Sequence, residues 1–469
     1  MKVLLIMADA NMHKFWIFGR LKSAREAPLT LTTLAAIGGE VPDVEFRLVD
    51  ESVDTVPLDY RADLVGISVL TGTARRAYAL ANHFRNRGIP VVLGGAHVTI
   101  LPQEAARYAD AIVVGMAEKT WPQLLRDFLA GKMARVYRAE PELGEYLAGV
   151  PTPRYDLQRS SGYMVPHVVQ ATRGCLHSCD FCAVPVIWKR FLRRPVADVI
   201  RDIKAIPARR FVISDVCPFD DVDYAKELLR AMIPLKKKWG GLATTKITSD
   251  PELFDLLVRS GCGFLLVGFE SISQRSLNKI HKGFNARESY DEVVRRLRQA
   301  RIIVQGCFVF GFDEDNTDVF AATVDEVQRL KIDIPRYSIY TPYPGTHLFR
   351  RLHAEGRILS YDWGDYDTMH VVFQPKQMSP VELFEGFRWA YRETFRWKRI
   401  LRRAVSSGRR SPITLVGNIT YRNFVRRIHI AKGFEQPLGA YAERVDWESG
   451  REGEAAEALS GEAGAAVVH

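Results

Sequence analysis

The sequence predicts an α/β protein: a doubly wound parallel sheet at the N-terminus, then a partial barrel of six β/α units, then a helical C-terminal extension. Three observations carry this reading. Residues 1–132 alternate short apolar runs with amphipathic stretches, as strands buried on both faces and their crossover helices do. The alternation stops over 133–164 and resumes from Val168 with wider spacing, and beyond Tyr361 it gives way to helical, aromatic-rich sequence. A chain of 469 residues also exceeds the size at which one core stops growing, so several domains are expected. The boundaries drawn from these changes are 1–132, a linker at 133–164, 165–360, a helical basic segment at 361–432 and a disordered tail at 433–469.

In the first domain the apolar, β-branched runs predict strands at Val3–Met7, Val44–Val49, Leu64–Ser68, Val91–Leu93 and Ala111–Val114. Helices are expected between them at Leu29–Gly38, Ala74–Asn86, Gln103–Tyr108 and Thr120–Ala130. A sheet of this kind binds ligands beyond the C-terminal ends of its strands. Pro151-Thr152-Pro153 marks an extended linker, because each proline biases its predecessor away from helix. The barrel strands are expected at Val168–Thr172, Arg210–Asp215, Gly241–Lys246, Gly263–Phe269, Ile302–Phe310 and Arg336–Thr341. Helical stretches fall at Ala197–Ala205, Tyr224–Lys238, Pro251–Ser260, Ala286–Gln299 and Asp318–Leu330, and later at Pro380–Trp397 and Asn423–Ile430.

Composition excludes several classes. With 47% hydrophobic and 26% charged residues the chain is an ordinary globular one, and no apolar run reaches the ~18 residues of a spanning helix. The opening Met1–Ile6 run is short, Asp9 interrupts it, and no small-residue cleavage site follows, so it reads as a first strand of a cytoplasmic protein. Six cysteines in so long a chain do not suggest a disulfide framework. Cys217, Cys262 and Cys307 lie in apolar, strand-like contexts and read as buried core thiols.

The other three cysteines crowd into Cys175-Leu176-His177-Ser178-Cys179-Asp180-Phe181-Cys182, a C-x3-C-x2-C pattern directly after the first barrel strand. Thiolates are soft ligands that suit iron–sulfur clusters or zinc. A structural zinc site wants a fourth ligand at matched spacing; His177 lies inside the loop between two ligands, and there is no second C-x2-C.

This motif, with Phe181 before its last cysteine and a β/α barrel around it, resembles the signature of the radical S-adenosylmethionine (SAM) superfamily. The resemblance implies a [4Fe–4S] cluster on Cys175, Cys179 and Cys182, with SAM chelating the open iron and cleaved to a 5′-deoxyadenosyl radical. It also implies SAM contacts. These are Phe181; Ser214 and Asp215 at the second strand end; Glu270 at the fourth, which could instead be a cap or salt-bridge residue; Gly311 at the fifth, which could instead start a turn; and Tyr340 in a Tyr340–Thr346 stretch similar to the family's "TPxPGT" loop.

In the first domain Ser68 and Thr71 follow one strand, Gly94-Gly95-Ala96-His97-Val98-Thr99 the next, and Gly115-Met116-Ala117-Glu118 a third. Alone they mark a crevice. Beside the cysteine motif they resemble the cobalamin-binding domain fused to many radical SAM enzymes, which carries "GGPHVT" and "GEGE" at these places. The resemblance implies cobalamin contacts at Ser68, Thr71, Gly94, Gly95, His97, Val98, Gly115 and Glu118. The D-x-H-x-x-G motif that gives cobalt a histidine is missing, so His97 is expected at the nucleotide tail. Val372–Arg392 resembles a segment found in hopanoid 2-methylases and bacteriochlorophyll side-chain methylases.

The function implied is methylation of an unactivated carbon of a hydrophobic lipid or pigment, with an external reductant of flavodoxin or ferredoxin type. Two alternatives stand beside it: a cobalamin-dependent cyclisation, rearrangement or oxidation without methyl transfer, and a cobalamin-binding carrier or sensor. Charge adds a location. From Arg388 to Lys432 there are 13 Lys/Arg and one acid, a net of +12, interleaved with Trp389, Tyr391, Phe395, Trp397, Ile400, Leu401, Phe424 and Ile428. This suits a helix lying on anionic lipid through Arg402, Arg403, Arg409 and Arg410, or else a helical cap over the barrel with solvated arginines. No RNA-binding module is recognisable, so nucleic acid is not expected as a partner.

Overall fold

The computed structural model describes residues 1–9, 14–17, 20–139, 147–408, 411–428 and 466–468. Its described residues fall into two compact units, one of 1–170 with 186–211 and 466–468, the other of 171–185 with 212–428.

The first unit is built on a parallel sheet. Its strands are β1 (Lys2–Met7), β2 (Glu45–Asp50), β3 (Leu64–Ser68), β4 (Val91–Gly94), β5 (Ala111–Val114) and β6 (Val136–Ala139), in the order β6-β5-β4-β3-β1-β2. Ile6 sits opposite Val49 on one side and Ile67 on the other. The chain winds first to one side of β1 and then to the other, so the strand order reverses between β1 and β3, where a ligand crevice opens in such sheets. Helices α1 (Leu29–Gly38), α2 (Ala74–Asn86), α3 (Ala96–Ile100) and α4 (Ala117–Leu129) connect the strands. Val3, Leu5, Leu31, Phe46, Trp121 and Leu124 fill the space between sheet and helices, and Trp121 Nε1 donates to the Leu34 carbonyl at 3.1 Å.

The linker expectation is corrected here: 133–164 contains β6 and the strand Tyr163–Val165, which joins the hairpin Lys14–Ile17/Arg20–Glu26. Both are short strands, of four and three residues, whose pairing rather than their own apolar content defines them. Tyr163 Oη donates to Asp50 Oδ2 at 2.7 Å and pins this small sheet to the end of β2. Of the expected disordered tail, 433–465 and 469 lie outside the described residues, whereas Ala466–Val468 pairs in parallel with β6.

The second sheet holds six strands in chain order: β7 (Val168–Val169), β8 (Arg210–Ile213), β9 (Lys238–Ala243), β10 (Cys262–Glu270), β11 (Ile303–Phe310) and β12 (Ile334–Ile339). Sequential parallel neighbours are what repeated right-handed β/α units give. The third strand begins three residues earlier than expected, because Lys236 in a left-handed conformation (φ 51°) stops the preceding turn.

The C-terminal helices α5 (Pro380–Thr394), α6 (Trp397–Ser406) and α7 (Ser411–Ile428) belong to the second unit, so 361–432 is not a separate domain. Ser379 and Glu382 form a capping box that starts α5, and extended Arg396 (ψ 142°) breaks the helix expected to reach Trp397. Tyr391 Oη donates to the Tyr337 carbonyl of β12 at 2.8 Å. Buried Asp333 accepts from Arg298, from Ser407 Oγ and from the Val304 amide, and Asn418 Nδ2 donates to its carbonyl at 2.9 Å. Arg403, 1% exposed, donates to Asn418 Oδ1 and the Thr394 carbonyl. Its guanidinium is a structural strut, which corrects the expectation that it faces a surface; Arg409 and Arg410 lie outside the described residues.

Candidate active site

In the second unit the cysteine loop leaves Thr172–Arg173 and is held at three points. Buried Asp215, just beyond β8, accepts from the amides of Ala171 and Thr172 and from Thr172 Oγ1 (2.9 Å). Its carboxylate thus fixes the entry to the loop, where the family resemblance placed it among the SAM contacts. Asp180 is gripped by Tyr340 Oη, 2.8 and 2.7 Å from its two oxygens, while its amide donates to the Ile280 carbonyl and its carbonyl accepts from the Leu348 amide. Phe181 packs edge-on to the Tyr340 ring at 5.8 Å. Tyr340 therefore orients the loop from the end of β12.

The three loop thiols are close enough to feel one another's charge. The Cys217 hydrogen bond, followed by the His177 amide and the His177 side chain, pulls the Cys175 thiol down to about 6, against burial and the nearby Asp220 carboxylate. Burial pushes Cys179 up to about 12 and raises Cys182 as well, with the Lys282 charge opposing in both. Three convergent soft donors beside a buried ammonium fit a cluster of net negative charge.

Glu270 ends β10 at φ 64°, where a register shift between Gly268 and Glu270 re-aims its side chain. Oε1 lies 2.5 Å from Lys282 Nζ, both side chains being about nine-tenths buried. The reading of Glu270 as a salt-bridge residue thus describes its contact in the structure. Lys282 is raised despite burial, by Glu270, Cys179 and Cys182.

Gly311 ends β11 at φ 103°, and a Cβ there would meet Leu383 Cδ2 at 2.8 Å. Only glycine suits this turn, and part of the reason is the helix α5 side chain against it. Asp315 accepts from the amides of Gly311 and Phe312 at 3.0 and 3.1 Å. Burial pushes its carboxyl up to about 7, with those two amides opposing. A raised carboxyl stabilises the fold fully below its unfolded value, and that contribution is lost as pH rises through about 7. Asp315→Asn keeps an acceptor for both amides and does not titrate. Between pH 4 and 8 the wild type should therefore lose on the order of 3–4 kcal/mol relative to the variant. Parallel thermal melts with no pH-dependent gap would contradict this.

In the first unit the crevice lies at the C-terminal ends of β3, β4 and β5. Ser68 and Thr71 are buried there, and the Val69 amide donates to the Gly94 carbonyl at 2.8 Å. Gly95 turns at φ 104°, and a Cβ would strike the Val69 backbone at 2.9 Å. Val98 is fully buried in α3, and Thr99 Oγ1 bridges the Gly95 carbonyl (2.9 Å) and the Gly115 amide (3.0 Å), joining two strand ends. A Cβ on Gly115 would meet only the Ala139 carbonyl oxygen, at 4.0 Å, so this glycine leaves open space at the strand ends. Glu118 follows in the first turn of α4. His97 is 0% exposed, with Nδ1 3.3 Å from Thr71 Oγ1 and Nε2 3.1 Å from Glu104 Oε1. Enclosed in this way, it ties the strand loop to the helices, and a direct contact to a nucleotide tail is not what its placement offers.

Comparison with known proteins decides the family. Residues 169–327 match the radical SAM superfamily and residues 24–125 the B12 binding domain. The chain is 31% identical over 421 residues to bacteriochlorophyllide d C-12(1)-methyltransferase of Chlorobaculum tepidum, covering 85% of this chain and 91% of that one. It belongs to the cobalamin-binding radical SAM methyltransferases. The hopanoid C-2 methylase of Rhodopseudomonas palustris is 25% identical over 347 residues, 70% of this chain and 65% of that one. The radical SAM methyltransferase TsrM of Kitasatospora setae, solved with cobalamin and a [4Fe–4S] cluster bound, shares the fold at TM-score 0.60 and 19% identity, covering 82% and 81% of the two chains. The cofactors of this methyltransferase are a [4Fe–4S] cluster, SAM and cobalamin. The cluster supplies the electron that cleaves SAM, and cobalamin carries the methyl group.

Several residues of the site escaped sequence reasoning. Lys282 lies twelve residues past Glu270 in an unpatterned loop, and only the fold brings the two together. Cys217, read as a core thiol, is indeed buried, but its sulfur lies within 4.8 Å of donor atoms of His177 and Asp220. His177 hydrogen-bonds Asp220 and stacks on Phe284 at 3.9 Å.

Proposed function

We propose that this methyltransferase alkylates an unactivated carbon of an apolar lipid or pigment, taken from an anionic membrane surface, with electrons from a flavodoxin- or ferredoxin-type donor. Within it, Cys175, Cys179 and Cys182 hold the cluster; Phe181, Ser214, Glu270, Gly311 and Tyr340 surround SAM. Ser68, Thr71, Gly94, Gly95, Val98, Gly115 and Glu118 form the cobalamin crevice, with His97 a positioning residue behind it. Two of the relatives named above, at 31% and 25% identity, act by name on bacteriochlorophyllide d and on a hopanoid, which supports an apolar substrate.

The observation that carries the surface reading is a stripe on α6. Trp397, Leu401 and Val405 recur at helical spacing and are 50%, 54% and 79% exposed. On the following helix Ile413 and Val416 are also exposed. Exposed Arg396, Lys398 and Arg402 flank the stripe. Tyr391, Phe395 and Ile400, by contrast, are buried core, so only part of the aromatic set is available. Among the described residues no helix is long and apolar enough to cross a membrane. An apolar stripe edged by cations suits a helix lying in an anionic interface.

The test is anaerobic incubation of loaded enzyme with deuterated-methyl SAM and a host lipid or pigment extract carried in anionic or neutral vesicles. Label is expected on a carbon of an apolar product. Co-sedimentation should need anionic lipid, weaken at high salt and fall with Lys398→Glu/Arg402→Glu. Deoxyadenosine formation without label would favour the cyclisation, rearrangement or oxidation alternative. Label transfer only to a polar product would reject the apolar substrate.

A further inference from the structure

Beside the cysteine loop lies a donor set that cluster binding does not use. His177, Cys217 and Asp220 present ligand atoms all within 4.8 Å of one another. The neighbouring Cys175 sulfur accepts from the His177 amide at 3.4 Å. Three donors, one sulfur, one imidazole nitrogen and one carboxylate oxygen, thus converge from the loop and from the segment after β8, and the Cys175 sulfur stands next to them. Cys217 is 2% exposed, and the side chains of Asp220 and His177 are 8% and 16% exposed. The ligands are themselves oriented. Thr244 Oγ1 donates to Asp220 Oδ1 at 2.9 Å, and the Phe284 ring lies nearly parallel to the imidazole at 18°. Hydrogen bonds that fix a ligating carboxylate, and packing that fixes a ring, are features of built metal sites.

We propose that Cys175, His177, Cys217 and Asp220 bind a single divalent transition-metal ion, Zn²⁺ or Fe²⁺, in the cluster-free protein. Mixed thiolate, imidazole and carboxylate donors in number four suit a tetrahedral ion. Two thiol protons are released on binding, leaving two thiolates, one neutral imidazole and one carboxylate. Because Cys175 is shared, this ion and the cluster exclude each other. That exclusion rests on the assignment of Cys175 to the cluster; metal binding itself does not. The site would either hold the first iron delivered or, with zinc, block assembly.

Anaerobic titration of cluster-free full-length protein with Co²⁺ tests this, since tetrahedral thiolate-bound cobalt has intense visible d–d bands and sulfur-to-cobalt charge transfer. One equivalent is expected to bind. Cys217→Ser should halve the charge-transfer intensity and weaken binding at least tenfold, and His177→Gln and Asp220→Asn should weaken it similarly. Cys179→Ser/Cys182→Ser should bind as wild type does. Reconstituted protein should bind no cobalt at this site. Cobalt lost in Cys179→Ser/Cys182→Ser but kept in Cys217→Ser would overturn the proposal. Cobalt binding undiminished by the cluster would instead refute the shared role of Cys175.

Discussion

Replacing Cys175, Cys179 and Cys182 together by alanine should reduce bound iron and sulfide from about four each per chain to background. SAM cleavage should vanish with them. The effect is expected to be complete because the loop offers no other thiolate, and Cys217, His177 and Asp220 supply only one thiolate, which cannot hold a cluster that needs three. Cobalamin binding should persist: the strand ends around Gly95 and Gly115 belong to the first unit, whose core of Val3, Leu5 and Trp121 shares nothing with the loop. Iron analysis and cobalamin absorbance on the same sample check both halves. A triple variant that keeps a full cluster would refute the ligand assignment.

The second large effect concerns Glu270 and Lys282. Each is about nine-tenths buried, so removing one leaves the other's charge stranded in a poor solvent. Lys282→Met should cost roughly 3–5 kcal/mol, and Glu270→Gln a similar amount. Glu270→Gln/Lys282→Met should recover most of either loss, since a neutral amide and a thioether carry no unpaired charge. Hydrogen exchange along Cys262–Glu270 reads this locally, which suits a two-unit protein that need not unfold in one step. Additive losses in the double variant would show that the pair is not coupled. The pair also matters for chemistry: Lys282 places its charge near Cys179 and Cys182, so Lys282→Met should weaken iron retention by the loop.

Some of this was legible in the chain before any fold was known. Leu64–Ser68, Ala111–Val114, Leu29–Gly38 and Ala74–Asn86 occupy the spans their patterns predict, because strands buried on both faces write a short apolar run into the sequence, Leu29–Gly38 a longer one and Ala74–Asn86 an apolar stripe. The strands Val136–Ala139 and Tyr163–Val165 left no such trace, since a short strand is defined by what it pairs with. The helix Trp397–Ser406 is not among the expected ones, and the expected helix runs on to Trp397 because little more than the one extended residue, Arg396, separates the two.

The sequence by itself determined the order of two α/β sheets, the place of the cysteine loop after a strand and the glycines at the strand ends. These are local properties, set by spacing and residue type. Only the tertiary structure decided which polar groups are consumed by the fold. It turned Asp215 toward the backbone of 171–172, enclosed His97 between Thr71 and Glu104, buried Arg403 against Asn418 and brought Cys217 to Cys175. A buried polar atom must find a partner or cost several kcal/mol. That partner comes from wherever the packed chain supplies it, often tens of residues away, and so the role of each such residue is fixed by packing rather than by its neighbours in sequence.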